Sequence, residues 1–135
     1  TFWLSANFCI SGVAPPTGED DPRLARTFKQ EVLVLEEVET HEKRVLMGHF
    51  TRASGMTMGC GMDHVVETEN DYTFTSSRED QSGHVVFNIA AEAGKPFVLY
   101  KYVTYHTSHS EPAEELRARS ARTQSCWPRA RPARC

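Results

Sequence analysis

Asp63 and His64 stand side by side, and a carboxylate beside an imidazole is a common arrangement for acid–base work. The pair sits in a stretch where side chains alternate. Met56, Met58, Cys60, Met62, His64 and Val66 fall on one face, and Thr57, Gly59, Gly61, Asp63 and Val65 on the other. Neighbours on a strand point to opposite faces, so Asp63 and His64 are not expected to hydrogen-bond through their side chains. His106 and His109 form an HxxH spacing that would chelate a metal on a helix, but they fall at the end of a strand without a third ligand. Lys101 lies among aromatic residues, where a lysine more often snorkels to the sheet margin than serves as a tuned amine. Cys60, on the methionine face, reads as a small buried hydrophobe. The sequence carries no glycine-rich phosphate loop and no serine elbow. The expectation is no catalytic residue, no metal ligand and no cofactor site.

The elements that carry these residues are mostly strands. Residues 44–67 read as two strands joined by a tight connection at Ala53-Ser54-Gly55. Gly59 and Gly61 leave one face of the second strand thin, so a second sheet or a loop is expected to approach the backbone there. Upstream, residues 1–10 read as a strand and 11–21 as a loop. A short helix is expected near 22–29, with Asp21 as its N-cap and Pro22 in its first turn, and a strand over 31–38. A polar turn at 40–43 leads into the central pair. Downstream, 68–83 is mostly polar, with Tyr72 and Phe74 in a brief strand. Residues 84–92 alternate, with Val85, Phe87, Ile89 and Ala91 inward, and Ala93-Gly94-Lys95-Pro96 is a turn. Residues 97–106 are apolar on both faces, as in a strand covered on both sides. Ser110 is expected to cap a helix near 110–122 with a thin apolar stripe. The fold class is mainly β: a partial antiparallel sandwich with a short helix near 22–29 and a second near 110–122.

Charge is unevenly spread. All eighteen acidic residues lie in 1–116 with nine Lys and Arg, whereas 117–135 carry six Arg and no acid. An acidic body argues against nucleic acid as its partner. No apolar run approaches the ~20 residues of a membrane span. Cysteines at 9, 60, 126 and 135 form no CxxC pair and indicate neither zinc nor a disulfide framework, which fits a cytoplasmic setting.

Residues 124–135 lack periodicity and are rich in Arg, Pro, Ala and Cys, the mixture that GC-rich DNA gives out of frame. Residues 123–135 are therefore expected to be an unstructured, out-of-frame tail. A basic RNA-binding arm is the competing reading, with Trp127 its single aromatic. The start at Thr1, in mid-strand, suggests a piece of something larger.

Four motifs occur in register: Asp21-Pro22-Arg23-Leu24-Ala25, Thr51-Arg52-Ala53-Ser54-Gly55, Met62-Asp63-His64, and Lys101-Tyr102-Val103-Thr104-Tyr105-His106-Thr107-Ser108. Together they resemble the N-terminal domain of glycoside hydrolase family 65, the maltose, trehalose and kojibiose phosphorylases and their hydrolase relatives. The likeness covers about 20–122 and stops after Thr123. It implies a β-supersandwich of galactose-mutarotase-like type, followed by a helical linker and an (α/α)6 barrel. In that family the barrel supplies the general-acid glutamate and the phosphate site. Inverting phosphorolysis of an α-glucoside gives β-glucose 1-phosphate, and the hydrolases use water instead.

The implied organisation is a partial β-sandwich over 1–109, the start of a helical linker over 110–122, and the tail. No catalytic residue of the family carries over. The expectation is a non-catalytic fragment whose partners are the parent's barrel and, in the intact enzyme, a second subunit, a disaccharide and phosphate, with neither nucleic acid nor membrane. One alternative is a stand-alone carbohydrate-binding module that stacks sugars on Tyr100, Tyr102, Tyr105 or Trp3. Another is an enzyme built on His64, His106 and His109.

Overall fold

The computed structural model describes the strand placement of residues 2–9 and, in full, residues 32–126. The expected loop over 11–21, helix near 22–29 and final segment of the tail lie outside the described residues. Among the described residues, seven strands and one helix follow in order: β1 (Phe2–Cys9), β2 (Leu33–His41), β3 (Arg44–Thr51), β4 (Thr57–Thr68), β5 (Tyr72–Glu79), β6 (Ser82–Ile89), β7 (Phe97–Ser108) and α1 (Ala113–Ser125). They form a three-stranded sheet, β1-β6-β5, and a four-stranded sheet, β2-β3-β4-β7. Every pairing is antiparallel.

The two sheets meet across one apolar core. Val45 and Met47 of β3 and Cys60 and Met62 of β4 come from the larger sheet, and Val85, Phe87 and Ile89 of β6 from the smaller. Period-2 alternation delivers each of these to the same side of its strand. The sheets approach closely where Gly83 faces Val45: a Cβ on Gly83 would stand 2.2 Å from a Val45 methyl. Leu35 and Val38 of β2 and Leu99 of β7 extend this core as half-buried neighbours.

The hairpin between β3 and β4 turns at residues 52–55, where Gly55 adopts φ +64°, a left-handed conformation that glycine takes without Cβ strain. Register then pairs Gly48 with Gly59 and Met47 with Cys60. On the face away from the core, Gly48, Gly59 and Gly61 form a bare track, and α1 lies on it. The thin face is thus filled by a helix, not by the second sheet or loop expected from sequence. Ala113 packs over Gly48, the Leu116–Arg117 peptide over Gly59 and the Gln124 amide over Gly61. The domain is therefore three layers: small sheet, large sheet, helix.

Several sequence expectations need correction. Ser110 does not cap α1; Pro112 occupies the N-cap without a side-chain bond, and Ser108 Oγ instead accepts the Ser110 and Glu111 N–H groups. Helix α1 runs to Ser125, past the expected boundary at 122, because Ser120 and Gln124 continue its buried stripe. The brief strand at Tyr72 and Phe74 extends to Glu79, since backbone pairing with β6 tolerates polar side chains on an exposed strand. Ala91 lies beyond β6 and is exposed. Among the described residues, strand β7 is an edge strand and is not covered on both sides: Val103 and Tyr105 are 42% and 56% exposed.

Candidate functional site

Asp63 and His64 diverge as the strand geometry requires. Asp63 Oδ2 accepts from Arg44 Nη2 at 2.8 Å and Nε at 3.1 Å, and both side chains are mostly buried. This fork-like contact ties the start of β3 to β4. Its other oxygen accepts the His64 backbone N–H at 2.8 Å. The His64 ring turns to the core, 5.5 Å from the Phe87 ring in an edge-on contact. Its Nδ1–H donates to the Lys43 carbonyl at 2.8 Å, which fixes the tautomer and leaves Nε2 as the acceptor. Burial depresses the His64 pKa, partly opposed by the bond to Lys43 O. Lys101 and Lys43 add to the depression, and Asp63 opposes it.

The other candidates are equally dispersed. His106, on the helix side of β7, contacts Thr123 Oγ1 at 3.2 Å. Thr123 spends its own proton on Arg119 O, so His106 Nε2–H is the donor. His109 is exposed beyond the strand, so the HxxH pair does not converge with His64. Among the described residues no group of three or more His, Cys, Asp or Glu is placed to hold a metal ion. Cys60 is fully buried, its thiol donating to Met47 O at 3.5 Å, and burial pushes its pKa up to about 12. Lys101 is exposed on the core side of β7, opposite His64. Of the aromatic platforms, Tyr105 is exposed and Tyr100 and Tyr102 are half-buried; the Trp3 side chain lies outside the described residues.

One concave site does gather polar groups. A cleft of about 270 Å³ opens where the β2–β3 turn, β4, β7 and the C-terminal end of α1 meet. Asp63 and Tyr102 are paired across β4 and β7 on the helix side of the sheet and both line it. Arg44 reaches over from β3, its Nη1 donating to Ser125 Oγ at 3.3 Å. Gln124 lines the cleft too; it is 4% exposed, and among the described residues neither amide atom has a hydrogen-bond partner. Sequence reasoning found Asp63 but missed Arg44, Gln124 and Ser125. Arg44 was legible: the turn at 52–55 sets a register in which Val45 faces Met62, and one step outward brings Arg44 to Asp63. Gln124 and Ser125 fell in the segment read as tail.

The chain matches the model of the glycosyl hydrolase family 65 N-terminal domain over residues 9–130. That span exceeds the 20–122 read from motifs and runs past Thr123, which removes one ground for treating the following residues as foreign. Alpha,alpha-trehalose phosphorylase from Thermoanaerobacter brockii is 25% identical over 89 residues, 66% of this chain and 12% of that protein. An uncharacterized glycosyl hydrolase from Mycobacterium leprae is 28% identical over 114 residues, 83% of this chain and 14% of that protein. Another from Mycobacterium tuberculosis is 26% identical over 106 residues, 78% of this chain and 13% of that protein. The chain thus spans only 12–14% of the length of these relatives.

Proposed function

Because the chain belongs to glycosyl hydrolase family 65 through its N-terminal domain, we propose that it is a non-catalytic scaffold. It is part of the β-sandwich of a phosphorylase or hydrolase acting on α-linked glucose disaccharides. The observation that carries this reading is the family match over 9–130, which falls on the N-terminal domain. The similarity to a trehalose phosphorylase supports a disaccharide of glucose as the parent's substrate.

The chemistry of the described residues supports the same reading. Asp63 is committed to Arg44, the His64 ring to the Lys43 carbonyl and His106 to Thr123. Each of these bonds positions an element of the fold. The thiol of Cys60, with its pKa near 12, is held as the protonated, non-nucleophilic form. In this reading the general acid and the phosphate site come from an α/α barrel in the parent enzyme, which operates in the cytoplasm. Among the described residues no helix is long and apolar enough to cross a membrane.

Sequencing the DNA that flanks the coding region tests this. The reading expects a β-rich segment upstream and a helical barrel downstream, in the same or another frame. Unrelated sequence on both sides would overturn it.

A further inference from the structure

We propose that two copies of this chain join edge to edge through β7, antiparallel about a two-fold axis at Val103, so that their four-stranded sheets run on as one. The inference stands on the strand edge and does not depend on the scaffold role.

The edges of the sheets differ in how they resist such pairing. Natural edge strands are blunted by charges, bulges or prolines. On the opposite edge of the same sheet, β2 carries Glu36, Glu37 and Glu39, and its register shifts between Leu35 and Glu37. In the small sheet, β5 is polar and ends in Arg78 and Glu79. Strand β7 has none of these guards. It keeps unbroken register with β4 from Phe97 to Ser108, contains no proline and no acid, and has Lys101 as its single Lys or Arg. Among the described residues no strand pairs with its outer side. Alternate residues there direct their N–H and C=O groups away from β4, a ready template for another strand. Of the four exposed large hydrophobics among the described residues, Val98, Val103 and Tyr105 lie on this one strand. Helix α1 makes its close contacts over Gly48 of β3 and Gly59 and Gly61 of β4, so it lies over the face of the sheet and not across this edge.

Register and charge select a second copy as the occupant. Antiparallel pairing sets residues of the same face opposite each other, and a two-fold axis at Val103 places that residue against its own equivalent. Lys101 then faces the partner's Tyr105, and Tyr100 faces the partner's His106. Each Val103 has the partner's Tyr105 as its diagonal neighbour, so the apolar patch of β7 covers itself. The two Lys101 ammonium groups fall four residues apart along the join, about 13 Å by strand rise, and no like charges oppose.

Sedimentation equilibrium of the full chain in reducing buffer, from micromolar to sub-millimolar concentration, tests the proposal. A reversible monomer–dimer equilibrium is expected. Val103→Lys, at an exposed position, sets two ammonium groups against each other on the axis and should weaken the dimer about tenfold or more. Folded Tyr105→Glu faces the partner's Lys101 and should keep the dimer. Under mild oxidation, thiols introduced by Val103→Cys should be found joined to each other by peptide mapping, because directly opposed residues stand roughly 4.5–5.5 Å apart at Cα, within disulfide reach. Thiols introduced by Val98→Cys should not be. A monomer at every concentration would overturn the proposal. So would a dimer indifferent to Val103→Lys, equal weakening by a folded Tyr105→Glu, or no joining of the Val103→Cys thiols. The cross-link decides if Val103→Lys fails to fold. A monomeric result leaves the scaffold reading standing, since flanking DNA tests that separately.

Discussion

Gly59 of β4 lies directly beneath the peptide that joins Leu116 to Arg117 in α1. A Cβ on Gly59 would stand 2.1 Å from the Leu116 carbonyl carbon and 2.3 Å from the Arg117 nitrogen. Backbone atoms cannot rotate aside, so any side chain here must lift the helix off the sheet. The buried residues Ala113, Leu116, Ser120 and Gln124 would lose their seat together. Gly59→Ala is expected to cost about 3 kcal/mol, at the upper end for overpacking. Gly55→Ala, with open space around it and φ +64°, should cost only about 1 kcal/mol from backbone strain. Urea unfolding midpoints measure both; equal losses would contradict this account of the helix seat.

Arg44 and Asp63 form a partly buried pair that closes one end of the β3–β4 hairpin. Removing the carboxylate leaves a guanidinium with its solvation only partly restored. Asp63→Asn should therefore destabilise by about 1–2 kcal/mol. In a double-mutant cycle Asp63→Asn should cost much less on an Arg44→Met background. Additive losses would show that the contact contributes nothing.

His64 gives the fold a pH dependence with a definite sign. Its folded-state pKa lies below the ordinary histidine value, chiefly from burial, so the unfolded chain binds the proton more readily. Stability from this residue is present above ~6.5 and is lost as pH falls from there toward the lower folded-state value. The slope from one such site reaches at most about 1.4 kcal/mol per pH unit. His64→Gln should flatten the stability profile between pH 6.5 and 5 relative to wild type. Parallel profiles would show that another group carries the dependence.

Cys60 and Cys126 should separate cleanly by reactivity. Cys60 is fully buried with its thiol pKa near 12, and Cys126 is exposed after the end of α1. Alkylation at neutral pH followed by mass spectrometry should label Cys126 promptly and Cys60 only on unfolding. Prompt labelling of Cys60 in the native protein would mean that the core opens locally.

The strand pattern of this domain is legible in its sequence because alternation survives wherever one face is buried. Met58, Cys60 and Met62 against Gly59 and Gly61 is such a pattern, and it located both the core and the thin face. What covers the thin face was not legible. A bare glycine track suits a sheet, a loop or a helix, and the thin apolar stripe of α1 gave little sign that it docks there. The exposure of Val103 and Tyr105 was missed for a related reason. Their strand pairs with the buried Met62 and Cys60, but the three-stranded sheet leaves them exposed at the edge of the larger one. The cleft residues Arg44 and Gln124 are 80 positions apart in sequence and meet only through the register of the hairpin and the length of the helix.

The central claim is that this chain supports a reaction carried out by residues of another domain. Its most direct test is to incubate the purified chain with inorganic phosphate and trehalose, kojibiose or maltose and to measure glucose 1-phosphate. The account predicts none above the protein-free blank. Sustained, protein-dependent release from any of the three sugars would contradict it.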